Sequence, residues 1–318
     1  MAYGSSNGNG SAVNGRVSEW KIKEQMCDIG RRIWLKGFCA GNEGNHSYRL
    51  SENRILCTPT GISKGNLKPE DICTVDLEGN QVAGKRKRTS EILLHLAIYK
   101  SRPDVKAVVH SHPPHATAFA VANVELPTCI HPEAEVFLGA VKTAKYVTPG
   151  DTRLGESILP YVKDSNTILL QNHGTVTYDK DLEGAYYKLE IVDAYARILL
   201  LAKQIGSIRP LDSAEMKELL ELKQRFGLEE PRLRDGGKGM SCSSDFLTRV
   251  GGEIGSRGRM ATNTGTAPVP SGSELRPTTA VQSSPMEQGI HSMVPQGYSE
   301  QDIETLVQTI TDQIMALT

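Results

Sequence analysis

The period of apolar and polar positions changes several times along the chain, and each change predicts an element. From Ser18 to Gly37, SEWKIKEQMCDIGRRIWLKG spaces Trp20, Met26, Ile29, Ile33 and Trp34 at mostly helical intervals, with Ser18 as N-cap and Gly37 as C-cap. Short extended segments follow at RILCTP and ICTVD, the second closed by the turn-like LEGN. SEILLHLAIYKSRPDVKAVVHSH reads as a helix that ends before Pro103, then a strand. The pattern returns with TILLQ as a strand and DLEGAYYKLEIVDAYARILLLAKQIG as a long helix, and SAEMKELLELKQRFG closes the domain near Pro231. Helices alternating with strands predict a layered α/β fold.

The flanks break this pattern. Residues 1–15 are poor in bulky apolar side chains and read as a flexible leader to a globular domain over 16–232. Residues 233–297, rich in Gly, Ser, Thr and Pro, cannot bury enough apolar surface to order themselves and read as a disordered linker. Helical periodicity resumes in residues 298–318, where Ile303, Leu306, Val307, Ile310, Ile314 and Leu317 form one stripe. Ser299 and Asp302 make a capping-box-like pair, and Tyr298 and Ile303 sit where a hydrophobic staple would.

Charge and composition narrow the partners. With 36 basic and 37 acidic residues in 318, the total charge shows no footprint for nucleic acid or anionic membrane. No apolar run approaches the roughly 20 residues of a membrane span, and the N-terminus lacks a basic-then-apolar signal pattern, so the expected location is the cytosol. Six scattered cysteines without a CxxC pair suggest reduced, mostly structural thiols. KRKR at 85–88 reads as a solvated or anion-attracting rim.

The chemistry concentrates in VKAVVHSHPPHATAFA, residues 105–120. On a strand, residues two apart share a face, so His110 and His112 project together, as two imidazole ligands of one metal ion would. QNHG places His173 at the end of a second strand, where open sheets collect ligands. TSE places Glu91 at a helix start, as a fourth ligand or a base. His95, four residues on, reads as a packed histidine. His115 is either a partner that orients a ligand or part of a helix's first turn, and His46 and His291 have no companions.

The motifs GNHSYR, TPTG, TSE, HSH and NHG, in this order and spacing, resemble the class II aldolase/adducin family over about Val17 to Pro231. The resemblance implies a three-layer α/β/α sandwich around a mixed central sheet and one Zn2+ per subunit, held by His110, His112, His173 and Glu91. It makes Glu91 the catalytic acid/base. Gly44, Asn45, Thr60, Gly61, Thr89 and Ser90 match the family's phosphate cradle; glycine leaves backbone N–H groups open, hydroxyls donate, and the Ser90 helix end favours an anion. The implied reaction is cleavage of a deoxyketose 1-phosphate, L-fuculose 1-phosphate or L-rhamnulose 1-phosphate, to dihydroxyacetone phosphate and lactaldehyde. Three neutral imidazoles leave zinc's full charge to stabilise the enediolate formed as the C3–C4 bond breaks.

Two tyrosines of the family pattern are missing: one place falls at His131 or its neighbours, the other at Phe226. The second acid is then His131, Glu133, Tyr146 or a water. The same scaffold carries pentulose-5-phosphate 4-epimerases, thiosugar-phosphate dehydratases and the non-enzymatic adducins. A homotetramer with sites at subunit boundaries is expected from the resemblance. The tethered final helix resembles in architecture the encapsulation peptides of bacterial microcompartments, so its stripe (Ile303, Leu306, Val307, Ile310, Ile314) would dock on shell protein.

Overall fold

The computed structural model describes residues 18–231 together with Cys242, Phe246 and Leu247. The leader, most of the linker and the final helix with its stripe lie outside the described residues.

Helix α1 (Glu19–Leu35) opens the fold, and the Ser18 side chain accepts a hydrogen bond from the Lys21 amide as its N-cap. Strands β1 (Asn45–Ser51), β2 (Arg54–Cys57), β3 (Cys73–Val75) and β4 (Gln81–Ala83) form a meander. Helix α2 (Ile92–Ser101) leads to β5 (Ala107–Ser111) and α3 (Pro114–Ala122). After β6 (Lys142–Ala144) and α4 (Arg153–Val162), β7 (Thr167–Leu170) and β8 (Gly174–Asp179) make a hairpin, followed by α5 (Leu182–Ile205) and α6 (Ser213–Arg225). The eight strands join in one sheet, ordered β4-β3-β2-β1-β5-β8-β7-β6. Only β6 and β7 run parallel among the described pairs, so the sheet is mixed as expected.

Alternation along the central strands sorts the core into two sides. Val108, Ile168, Leu170 and Val176 face α2 and α4, meeting Ile92, Leu96, Ile98, Leu154 and Ile158. Ala107, Val109 and Leu56 face the other way, onto Ile22, Met26, Ile29 and Ile33 of α1 and Leu182, Ala185 and Leu189 of α5. Helices therefore cover both faces of the sheet. On β5 this puts His110 on the α2 side with Val108, and turns Ser111 away so that its hydroxyl donates to the Phe38 carbonyl.

Three expectations need correction. Trp20 and Trp34 are about half exposed (53% and 48%), because the stripe that meets the sheet is Ile22, Met26, Ile29 and Ile33. Not all cysteines are reduced: Cys129 and Cys242, 113 residues apart, form a disulfide, while Cys27, Cys39, Cys57 and Cys73 are free. Inside the expected linker, Phe246 is buried against Phe119, with Leu247 packed beside the same cluster. Phe246, Leu247 and the disulfide at Cys242 together fasten these residues to the domain.

Two buried histidines tie stability to pH. Burial pushes His46 down to about 4 and His95 to about 3, with Lys64 adding to the effect at His46 and His110 at His95. Both rings stay neutral in the fold, whereas the unfolded chain protonates near 6.5, so stability is complete above that value and is lost as pH falls toward 4. The thermal midpoint should drop across this window. His46→Gln, which keeps a donor for the Met26 carbonyl that the His46 Nε2 meets at 2.7 Å, should flatten the slope; an unchanged slope would argue against His46 as its source.

Candidate metal centre and its carboxylate

The strand register builds the site. Asn45 lies directly across from His110 in the β1–β5 ladder, so the two side chains share the α2 side of the sheet. His112 follows just past the end of β5, and His173 sits in the turn of the β7–β8 hairpin. Asn172 precedes it in the left-handed region (φ 54°), which asparagine tolerates. Gly174 must be small, since a Cβ there would stand 2.4 Å from His112 Cδ2 and 2.7 Å from the Ser111 carbonyl oxygen.

The sequence-derived ligands converge. One nitrogen from each of His110, His112 and His173 lies within 4.8 Å of the others, and the Nε2 atoms of His110 and His112 are 3.3 Å apart. Glu91, the N-cap residue of α2, places Oε2 at 3.4 Å from His110 Nε2 and Oε1 at 3.4 Å from His173 Nε2. A tetrahedral cation with bonds of about 2.0–2.1 Å has ligand–ligand edges of about 3.3–3.4 Å, so these spacings fit one. The ring of His110 is oriented for this: its Nδ1 donates to the Thr175 carbonyl at 3.0 Å, leaving the Nε2 lone pair to the centre. Burial holds all three imidazoles below their ordinary titration range, His110 well below, and their mutual proximity adds to this at His110 and His112. Neutral rings are what a metal needs. Glu91 Oε1 is buried without a hydrogen-bond partner, as is Nδ1 of His173. Buried polar atoms left unpaired are costly, and the Glu91 oxygen, which faces the three rings, points to a ligand or substrate at this centre.

Three loops meet beside this centre. The Thr58 amide donates to the His46 carbonyl at 3.0 Å, Thr89 to the Thr58 carbonyl at 3.1 Å, and Thr60 to the Lys87 carbonyl at 3.0 Å. The segments carrying Gly44 and Asn45, Thr60 and Gly61, and Thr89 and Ser90 are thus stitched together. Gly44 and Gly61 have φ of 74° and 73°, a region that favours glycine. Thr60, Gly61 and Ser90 are exposed, while Thr89 is buried and its hydroxyl accepts from the Glu91 amide at 3.3 Å. The Asn45 side chain is turned to Glu91, donating to Oε2 at 2.7 Å. Lys64 passed unnoticed in the sequence. Its buried ammonium donates to the Asn42 and Ile62 carbonyls at 2.7 and 2.8 Å, pinning the loop before β1 to the loop after Gly61.

A family model described as the Class II Aldolase and Adducin N-terminal domain matches residues 24–200. This chain belongs to the class II aldolase and adducin family.

An L-fuculose phosphate aldolase of Methanococcus maripaludis is 38% identical over 174 residues, which are 55% of this chain and 93% of that protein. A 3-oxo-tetronate 4-phosphate decarboxylase of Haemophilus influenzae is 35% identical over 201 residues, 62% of this chain and 95% of that one. The crystal structure of YgbL from Escherichia coli superposes with a TM-score of 0.59 at 31% identity, covering 63% of this chain and 98% of that one. Within this class II aldolase domain, the matched region holds all four converging residues.

The other sequence candidates stand apart. His131 Nδ1 is 3.2 Å from Glu133 Oε2, Glu133 and Tyr146 are exposed, and Phe226 caps α6 with its ring largely in solvent. No hydrogen bond or ion pair joins His131, Glu133 or Tyr146 to Glu91 or the three histidines among the described residues. His115 does lie in the first turn of α3, where its Nδ1 meets Asp193 Oδ2 at 2.9 Å and its amide donates to the same carboxylate. No helix among the described residues is long and apolar enough to cross a membrane.

Proposed function

We propose that the protein is a zinc-dependent aldolase that cleaves a deoxyketose 1-phosphate, such as L-fuculose 1-phosphate or L-rhamnulose 1-phosphate, to dihydroxyacetone phosphate and lactaldehyde. One observation carries the reading: a buried carboxylate oxygen without a hydrogen-bond partner, Glu91 Oε1, stands against three converging neutral imidazoles. His110, His112, His173 and Glu91 would hold the zinc. Bound zinc supplies Lewis-acid stabilisation of negative charge developing on substrate oxygens. Glu91 then exchanges the proton at C3, its Oε1 being the oxygen free to do so. Gly44, Thr60, Gly61, Thr89 and Ser90 receive the phosphate through backbone N–H groups, hydroxyls and the start of α2. Two cradle side chains are already engaged: Asn45 donates to Glu91 Oε2, and the Thr89 hydroxyl accepts from the Glu91 amide. The second acid, from His131, Glu133 or Tyr146, reaches the site from a neighbouring copy in a homotetramer.

A second reading has its own support. Decarboxylation of a 3-oxo acid phosphate, the activity in the name of the Haemophilus relative, releases CO2 from a carboxylate and needs no group to take a hydroxyl proton. That suits a chain in which no second acid of the same copy touches Glu91. Ketose 1-phosphates and 3-oxo-tetronate 4-phosphate, assayed in parallel before and after chelation, separate the two. Triose phosphate released together with an aldehyde from a ketose 1-phosphate, in a reaction that vanishes with chelator, returns with zinc and leaves nothing trapped by borohydride, supports the aldolase. Release of CO2 together with triose phosphate from 3-oxo-tetronate 4-phosphate, with the ketose 1-phosphates left uncleaved, selects the decarboxylase, and turnover that survives metal removal overturns both.

The stripe in residues 298–318 is proposed to carry the enzyme to the shell of a bacterial microcompartment. Its spacing is that of a helix with one apolar face, and its polar positions are mainly Glu, Gln, Asp and Thr, which would not attract anionic lipid. Deleting these residues should leave turnover intact and abolish shell association; a large loss of turnover would assign the helix to the catalytic domain instead.

A further inference from the structure

Between β1 and α2 runs a polar seam, which Arg49 closes at its far end by donating to the Tyr99 carbonyl. The strand contributes Asn45 and Ser47, two apart, and the helix contributes Glu91 at its cap with His95 and Tyr99 at successive intervals of four. Each faces the other element, and all five are at least nine-tenths buried. The contacts form one chain: Glu91 Oε2 to Asn45 Nδ2 at 2.7 Å, Asn45 Oδ1 to His95 Nε2 at 2.6 Å, His95 Nδ1 to Ser47 Oγ at 2.7 Å, and Ser47 Oγ to Tyr99 Oη at 2.8 Å. Tyr99 Oη also lies 3.3 Å from the Lys106 carbonyl.

The chemistry of the groups fixes the direction of this chain. An ionised carboxylate only accepts, so Asn45 must turn its N–H toward Glu91 and its oxygen toward His95. His95 must then carry its proton on Nε2 and accept at Nδ1. Ser47 has one proton and spends it on Nδ1, so the nearer bond of Tyr99 is the one it donates to Ser47. Every donor points toward Glu91. A seam of this kind in a core is costly unless fully satisfied, and this one is, as far as Oε2. The other carboxylate oxygen, Oε1, is left with no hydrogen bond.

We propose that His95, Ser47 and Tyr99 are positioning residues that act through Asn45 to hold Glu91 by Oε2 and so reserve Oε1 for proton exchange with substrate. This rests on the reading of Glu91 as the proton-exchanging group. Without the chain, the Asn45 amide can rotate and Glu91 can turn either oxygen, or neither, toward the reacting carbon. A loss of orientation lowers turnover first, while the three histidines still hold the metal and Thr60, Gly61, Thr89 and Ser90 still receive the phosphate.

The test uses the full-length protein. Nitrogen-15 NMR of the metal-free, histidine-labelled protein should show His95 as a neutral ring protonated on Nε2; a ring protonated on Nδ1 overturns the proposal. His95→Leu should lower kcat about 10- to 100-fold, as is usual for partners behind a metal ligand, with a smaller change in KM, and the fall in kcat should persist when the variant is loaded with one zinc per chain. His95→Gln, which places an amide N–H near the former Nε2, should restore most of that loss. A folded His95→Leu enzyme with wild-type kcat refutes the proposal. Should His95→Leu not fold, Ser47→Ala decides: the Asn45 oxygen still holds the proton on Nε2, but with the hydroxyl lost from Nδ1 and Tyr99 cut off from the chain kcat should fall severalfold, and a folded Ser47→Ala enzyme with wild-type kcat refutes the chain. If the wild-type protein cleaves none of the sugar phosphates, the functional reading fails, while the nitrogen spectra still settle whether the chain exists.

Discussion

Glu91→Gln abolishes nearly all turnover, by about 10²- to 10⁴-fold in kcat, while the protein still folds and binds sugar phosphate. The range is what a positioned general acid or base contributes to a proton transfer in the transition state. Glutamine matches glutamate in shape and keeps a carbonyl oxygen for the Asn45 N–H, so the hydrogen bond at 2.7 Å survives. Lost are the negative charge between His110 and His173 and the basic oxygen at the position of Oε1. Because the carboxylate also sits at ligand distance from these rings, zinc content must be measured beside kcat and KM. Exchange of the C3 proton of dihydroxyacetone phosphate with deuterated solvent isolates the step. If the variant exchanges that proton within tenfold of the wild-type rate, another group is the base.

Gly174→Ala should empty the metal centre without touching a ligand. The added methyl would stand 2.4 Å from His112 Cδ2, 2.7 Å from the Ser111 carbonyl oxygen and 3.4 Å from His110 Cε1. The carbonyl belongs to the backbone at the end of β5, and Ser111 pairs with Thr175 across the β5–β8 ladder, so it yields least. The ring of His112, at the strand end, yields first. Overpacking of this kind costs about 1–3 kcal/mol, which a domain of this size can absorb. Displacing one of three imidazoles should weaken zinc binding by at least about 10- to 100-fold, by analogy with loss of the groups that orient a ligand. Zinc per chain after dialysis against a weak chelator, with a melting curve alongside, measures it. A folded variant that retains one zinc through the same dialysis would show that the His112 ring does not depend on the absence of a side chain at 174.

Both predictions concern contacts that the sequence announced unevenly. The spacing of His110 and His112 is a strand period, and Glu91 at the head of a helical pattern was readable as a cap. His173 was readable only as a histidine after a strand; that its ring returns to the other two depends on the β7–β8 hairpin and on β8 lying beside β5. The residue types of the seam, Asn45 with Ser47 and Glu91 with His95 and Tyr99, stood in plain view at intervals of two and four. Nothing local says that this strand face meets that helix face. His95 therefore read as an inert packed histidine, and it is packed, but within hydrogen-bond reach of a side chain that holds Glu91.

What the sequence determined by itself is what short-range sterics and periodicity determine: the helix cap at Ser18, the order of helices and strands, the glycine-bearing turns and the set of residue types able to hold a metal. Tertiary structure decided everything that needs two distant segments. It set which side of α1 is buried, so that two tryptophans in a helical stripe ended half exposed. It paired Cys129 with Cys242 across 113 residues and seated Phe246 on the domain. It also gave the carboxylate its two unequal oxygens. The physical reason is the same in each case: a local pattern fixes which way a side chain can point, whereas strand register and helix packing fix what it meets there.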